Sequence, residues 1–295
     1  MKSIIALAVV FSSFLTLVRA DEKELTPKQI ESRAKAMQIV QGLQFQSGEI
    51  SILGGKAKIK LTDEFRYLDP ANARKVLVDL WHNPPEAGSS LGMIVPAGGG
   101  FDWAAILEWT EDGYVKDEKF ESTNFDDMLK TLKESYKEQS EKRVQGGYSK
   151  LELAGWAQTP HYDRGTHKLY WAKVIDGGGR VQELHYDIRV LGRHGVLELS
   201  IMSTMPQIAD IEAKAPTILG MVDFTDGNRY ADFKPGTDKV AAYGIAGLIA
   251  GGVLAKAGFF KLLWVGILAG KKFIIIGAIA IGAWIKRMLG ARKQA

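Results

Sequence analysis

Residues 150–204 read KLELAGWAQTPHYDRGTHKLYWAKVIDGGGRVQELHYDIRVLGRHGVLELSIMST. Four runs stand out in it: KLELAGWA, THKLYWAKV, VQELHYDIRV and GVLELSIM. The third alternates between apolar and polar residues, the period of a strand that turns one face to a core. The linkers between them are polar or glycine-rich, and Gly192-Arg193-His194-Gly195 is short enough for a tight turn. The stretch therefore predicts an antiparallel meander of four strands. In the third run Tyr186, Ile188 and Val190 point one way, and His185, Asp187 and Arg189 the other. The fourth run turns Leu197, Leu199 and Ile201 inward. His185, Asp187 and Arg189 form a candidate polar patch or anion site. A solvated sheet face is the simpler expectation for them.

Upstream, Thr26 and Pro27 open a helix over 27–42, with Ile30, Ala34, Met37 and Val40 as its apolar stripe. EISILGGKAKIKL reads as a hairpin turning at Gly54-Gly55. Asp69-Pro70 starts a second helix that buries Val76, Leu77, Leu80 and Trp81, and Asn83-Pro84-Pro85 stops it. LGMIVPA (91–97) and WAAILEW (103–109) are strands on either side of Gly98-Gly99-Gly100. That triple glycine leads into a strand and lacks a following Lys-Ser/Thr pair, so it reads as a turn and not a phosphate cradle. Asn124 caps a long helix whose apolar face is Phe125, Met128, Leu129, Leu132 and Tyr136. After the meander, a helix over about 206–221 presents Ile208, Ile211, Ala215 and Leu219. The expected fold class is α+β, a mostly antiparallel sheet with flanking amphipathic helices, in a domain covering 21–235.

The two ends differ from this domain. MKSIIALAVVFSSFLTLVRA has the positive start, the apolar run from Ile4 to Val18 and the short cleavage-type ending of a signal peptide over 1–20. From Val240 to Ile285 there is no acid, and the only charges are Lys256, Lys261, Lys271 and Lys272. The region 236–295 is therefore expected to be a transmembrane helical anchor with a short basic tail. A span over about 240–260 is long enough to cross a bilayer. A second apolar run, 262–285, carries Lys271-Lys272 near its middle, where charge is costly in lipid. One span with the second run lying on the inner surface suits the positive-inside rule; two spans, which go against that rule, and 262–285 as the only span are the alternatives. Gly247 and Gly251 form a small-xxx-small face for helix packing and for a homo-oligomer through the anchor.

Charge follows this division. Residues 1–20 hold two positive charges and 256–295 hold eight, with no acid in either, so the whole-chain balance of +4 leaves 21–255 at −6. A mildly acidic domain argues against a nucleic-acid partner. With no cysteine, disulfides and thiol chemistry are excluded.

The runs GGKAKIKL, FRYLDPANARKVLVDLWHNPP, LGMIVP, DGYVKDE, GYSKLELAGWAQTPHYDRGTHKLYWAKVI and YDIRVLGRHGVLELSIM together resemble a family of bacterial membrane-anchored proteins catalogued as domain of unknown function 2167. The likeness covers about residues 25–285. It implies an exported domain tied to the membrane by a C-terminal segment. It implies no activity, and so supplies no catalytic residues.

His161, Asp163 and His167 fall together in TPHYDRGTH and are a candidate metal-ligating set, since two imidazoles and a carboxylate can hold zinc. Their spacing is not that of a zincin helix, and a hairpin loop in which Asp163 and His161 bond the backbone explains them more simply. No Gly-x-Ser-x-Gly elbow, phosphate loop or dinucleotide fingerprint occurs, so no catalytic residue, metal or cofactor is assigned. Trp103, Trp109, Trp156 and Trp171 lie in strand runs and read as core. The expectation is a binding or interaction module anchored in the bacterial inner membrane with its main domain periplasmic. Its partners would be the lipid bilayer and another envelope protein or cell-wall component. An envelope hydrolase and a membrane-coupled stress or ligand sensor are the alternatives.

Overall fold

The computed structural model describes residues 26–83, 85, 89–98, 103–179 and 181–250. The expected signal peptide (1–20), Gly251, the second apolar run (262–285) and the basic tail lie outside the described residues, as do Gly99 and Gly100.

Thirteen strands are described. They are β1 (Phe45–Gln46), β2 (Glu49–Ile52), β3 (Ala57–Lys60), β4 (Phe65–Leu68), β5 (Gly92–Pro96), β6 (Ala104–Thr110), β7 (Tyr114–Lys116), β8 (Glu152–Asp163), β9 (Lys168–Asp176), β10 (Glu183–Leu191), β11 (Val196–Thr204), β12 (Val222–Phe224) and β13 (Val240–Gly244). The helices are α1 (Pro27–Gln41), α2 (Pro70–Arg74, continuing as a π-helical turn Lys75–Leu80), α3 (Phe125–Gln145), α4 (Ile208–Met221) and the short α5 (Ile245–Ile249). Eight strands form the main sheet in the order β1-β4-β5-β6-β11-β10-β9-β8. Every pairing in it is antiparallel. The meander β8–β11 is as the four runs predict, and β6 completes it by pairing with β11. A smaller sheet, β12-β3-β2, contains the Gly54-Gly55 hairpin, and β7 pairs with β13 in parallel.

Local signals account for the element starts. The Asp69 carboxylate accepts from the Asn72 amide at 2.8 Å and caps α2. Asn124 accepts from the amides of Asp126 and Asp127 at 3.1 Å each, and those two acids sit at the positive end of α3. In the β10–β11 turn a Cβ at Gly195 would stand 2.1 Å from the Thr110 carbonyl oxygen, so only glycine lets β11 lie this close to β6.

One face of the main sheet is apolar from β4 to β9. Tyr67, Ile94, Leu107, Leu199, Tyr186 and Ile188 lie on it, closed over by Ile211, Ala215 and Ile218 of α4 and by Ala57, Ile59 and Val222 of the small sheet. Burying one such side chain stabilises by about 1.5–3 kcal/mol. The other face starts at β4–β6 as a second apolar cluster. There Leu68, Met93 and Ile106 meet Val76, Leu77, Leu80 and Trp81 of α2 and Ala36 of α1. Trp103 and Trp171 are buried.

Four expectations need correction. The stripe of α1 is rotated: Ala36 is buried, whereas Ile30 and Met37 are 39% and 54% exposed. This polar helix meets the core through Ala36 with Ile39 and Val40 partly covered beside it, so of the expected stripe only Val40 packs inward. In α4 the buried set is Ile211, Ala215, Ile218 and Met221, with Ile208 and Leu219 only partly covered. TPHYD is strand and not loop, because β8 runs on to Asp163 and leaves a turn of four residues. The expected span over about 240–260 does not begin as a membrane helix. Val240–Gly244 is a strand, and Ile245, Leu248 and Ile249 of α5 are buried. Among the described residues no helix is long and apolar enough to cross a membrane. Gly247 lies in α5, where a Cβ would meet the Tyr243 Cβ at 2.8 Å, so its smallness serves a contact within the chain.

Candidate functional site

The register of the main sheet aligns one cross-strand row over five strands: Tyr162, Leu169, Arg189, Glu198 and Glu108. Paired residues share a face, so these side chains emerge on the side opposite α4. The next row on that face brings Trp171, Asp187 and Ser200 together, and the one after it pairs Lys173 with His185.

His185, Asp187 and Arg189 are only 5%, 4% and 4% exposed, so the expected solvated face is buried. The cause is what stands beside them. α3 lies over β8 and β9, with the Trp156 indole donating to the Phe125 carbonyl at 3.3 Å and Tyr136 lying 5.7 Å beneath the Lys173 ammonium. Glu198 itself is 1% exposed.

The buried groups form an ion network. Lys173 Nζ is 2.8 Å from Asp187 Oδ2, and Arg189 Nη2 donates to Asp187 Oδ1 at 3.1 Å. Ser200 adds a hydroxyl donor to the same oxygen at 3.1 Å. Arg189 Nε stands 3.0 Å from Glu198 Oε2, a charge contact outside hydrogen-bond geometry, and the Thr110 hydroxyl donates to Glu198 Oε1. The guanidinium lies 5.0 Å over the Trp171 ring. His185 Nε2 is 3.4 Å from Glu183. Burial opposes charge on Asp187, yet Lys173 and Arg189 outweigh it and hold the carboxyl at about 2. Burial likewise opposes the Lys173 charge, and Asp187 more than offsets it. Among the described residues Glu108 has no such partner. Burial, with Glu198 adding to it and Arg189 opposing, pushes it up to about 7.

His161, Asp163 and His167 are not brought together. The His161 ring packs 5.0 Å from Tyr170, which lies parallel to Tyr186 on the α4 side. Asp163 accepts from the Gly165 amide at 2.8 Å and the Thr166 hydroxyl at 2.7 Å, and so closes the turn. His167 belongs to the other face. Tyr162 donates to Asp117 Oδ2 at 2.6 Å, and His167 Nδ1 lies 3.1 Å from the same phenol oxygen. Because the one phenol proton is held by Asp117, Nδ1 carries a proton and donates it to Tyr162. Burial, then Asp117, raise Tyr162 well above the ordinary tyrosine range. The His167 ring packs 4.3 Å from Tyr230, and Tyr114 stacks between Tyr230 and Phe233 at 4.3 and 3.9 Å. The His167 backbone has φ of 54°, a left-handed position where glycine or asparagine is usual. Its ring contacts hold it there.

Of the loop candidates, then, only His167 joins this polar cluster, through Tyr162, which is bonded in turn to Asp117. Tyr162 stood in the same quoted loop, but Asp117 is 45 residues away and had no local signal. Glu108 and Glu198 were hidden for a similar reason: each looks like a lone polar residue in an apolar strand. Among the described residues no group of three or more His, Asp or Glu is placed to hold a metal.

Solved structures with a distant likeness include cyanobacterial PsbP (CyanoP) from Synechocystis sp. PCC 6803, at 10% identity over 62% of this chain and 96% of that one, TM-score 0.38. Two others are a point mutant of protein Mog1 (12% identity, 62% and 97% covered, TM-score 0.32) and the Saccharomyces cerevisiae Ran-binding protein Mog1p (12%, 65% and 100%, TM-score 0.29). No curated protein matches the sequence. The profile of the family described as "Protein of unknown function (DUF2167)" matches residues 44–282, and the chain belongs to that family.

Proposed function

We propose that the chain is a membrane-rooted binding protein of the bacterial envelope. Its α+β domain would stand on the periplasmic side of the inner membrane and engage an envelope protein or a cell-wall component there. One observation carries this reading. The acid-free C-terminal run begins inside the domain, with β13 paired to β7 and the Tyr114 amide donating to the Lys239 carbonyl at 2.8 Å. A domain hydrogen-bonded to the start of its own apolar run is built to be held beside whatever that run enters. The signal-like N-terminus and the acidic balance of 21–255 support export.

A membrane-coupled sensor is the second reading. It is favoured by Tyr243, which sits on β13, donates to Asp112 at 2.8 Å and feels the charges of Glu198 and Arg189. The hydrolase alternative rested on His161, Asp163 and His167, which lie on opposite faces of the sheet.

Expression of a C-terminally tagged chain in a Gram-negative host tests the proposal. The chain is expected in the inner-membrane fraction, with its domain digested by protease added to spheroplasts and a specific partner crosslinked to it. Recovery in the soluble cytoplasm, or a domain protected in spheroplasts, would overturn it.

A further inference from the structure

The row Arg189–Glu198–Glu108 contains a charge mismatch. Three carboxylates, the buried Asp187 and Glu198 and the partly buried Glu108, share two cations, Lys173 and Arg189. Asp187 takes Lys173 and one arm of Arg189. Glu198 takes the Arg189 Nε and the Thr110 hydroxyl. Glu108 is left facing Glu198 directly across β6 and β11. Side chains so opposed lie about 5 Å apart at Cβ, and like charges there repel. With the Glu198 carboxylate directly opposite it, Glu108 is more cheaply neutral than charged.

The mismatch lies close to the root of the C-terminal run. The groups around the pair are Thr110 on β6, Ser200 on β11, Asp187 and Arg189 on β10, and Lys173 on β9. From the remaining side comes Tyr243 of β13, whose phenol is bonded to Asp112 just beyond the end of β6. Tyr243 lies within the electrostatic reach of Glu198 and Arg189. No cation from β13 faces the pair among the described residues.

We propose that Glu108, facing Glu198 across β6 and β11, binds a single proton, and that this proton keeps β13 seated on β7. With the proton bound, the network is neutral: the carboxylates of Asp187 and Glu198 balance Lys173 and Arg189. When it leaves, an uncompensated negative charge appears under the Tyr243–Asp112 bond, water is drawn in, and β13 loosens. The domain then responds to the acidity of its compartment at the point where its apolar run begins. The membrane root proposed above gives this response its biological meaning, but the proton site and its link to β13 do not depend on it.

Amide hydrogen exchange on the full chain in detergent, at about pH 5.5 and about pH 8 and corrected for the intrinsic rate, tests the link. In the wild type, peptides spanning 112–116 and 240–245 are expected to lose roughly tenfold in protection at the higher pH. The β2–β3 hairpin should not change. Glu108→Gln, which supplies the neutral form permanently, should keep the two segments protected at both values. The same loss in Glu108→Gln as in the wild type overturns the proposal, and so does an equal loss in the hairpin. Infrared spectroscopy of the wild type provides a check that needs no variant. A protonated-carboxyl band should be present at the lower pH and gone at the higher, and its absence at both would also overturn the site. Failure of the membrane reading in the fractionation above would leave both of these results standing.

Discussion

Tyr162 of β8 and Arg189 of β10 lie in one cross-strand row, with the buried Leu169 of β9 between them. This register joins two clusters that look unrelated along the chain. The Asp117–Tyr162–His167 chain of hydrogen bonds and the Arg189–Glu198–Glu108 charges occupy the same face and the same level of the sheet.

Stability should depend on pH with two opposing limbs. Glu108 is raised in the folded state to about 7 from 4.5, so the folded chain binds more protons than the unfolded one between those values. Stability from this group is complete below about 4.5 and is lost as pH climbs through 7, by roughly 3 kcal/mol. Asp187 works the other way. It is lowered to about 2 from 3.8, so its contribution is present above about 4 and is lost as pH falls toward 2. Urea melts from pH 2 to 9 should place the maximum between these limbs. Glu108→Gln should flatten the upper limb and leave the lower one.

Arg189→Met should destabilise by about 3–5 kcal/mol, because it strands Glu198 and removes one of the two cations on Asp187 in a site that water does not reach. Lys173→Met should cost less. Its side chain is 15% exposed, and Arg189 remains on Asp187. Equal losses in the two variants, measured by denaturant unfolding, would contradict the network as described.

His167→Gly tests the strained turn. Relief of the left-handed backbone should return about 1 kcal/mol, while the lost bond to Tyr162 and the lost ring contact with Tyr230 should cost a similar amount. The net change is expected within about 1 kcal/mol. Nitrogen NMR of the wild type should find the neutral His167 protonated on Nδ1, and Tyr162→Phe should shift that tautomer balance.

Truncation tests where the domain ends. A chain stopped after Ala250 keeps β13 and α5, whereas one stopped after Phe233 loses both, along with the cap of Tyr243 on Asp112. The shorter chain should melt several degrees lower, at about 4–8 °C per kcal/mol for a small domain and less for one of this size. Equal melting temperatures would mean that β13 contributes nothing to the fold.

Much of the fold was legible because its causes are local. Asn124 caps α3 whatever surrounds it, Asp69 and Pro70 start α2, and the four runs in 150–204 produce β8 to β11. The loop TPHYDRGTH was also worth singling out, but for Tyr162 and His167 and not for His161 and Asp163. A β8 that stays extended to Asp163 sends His161 and Tyr162 to opposite faces.

By itself the sequence determined which segments become strand and helix, and that polar residues share one side of β10. Dihedral preference, capping and alternation act over a few residues, and that is all they require. The tertiary structure alone decided that this polar side is buried, that Glu108 faces Glu198, that Asp117 holds Tyr162, and that Val240–Gly244 is a strand. Each of these depends on which distant segment lies alongside. A run such as VAAYG is apolar enough for lipid, yet it forms a strand here because β7 offers it a backbone to pair with.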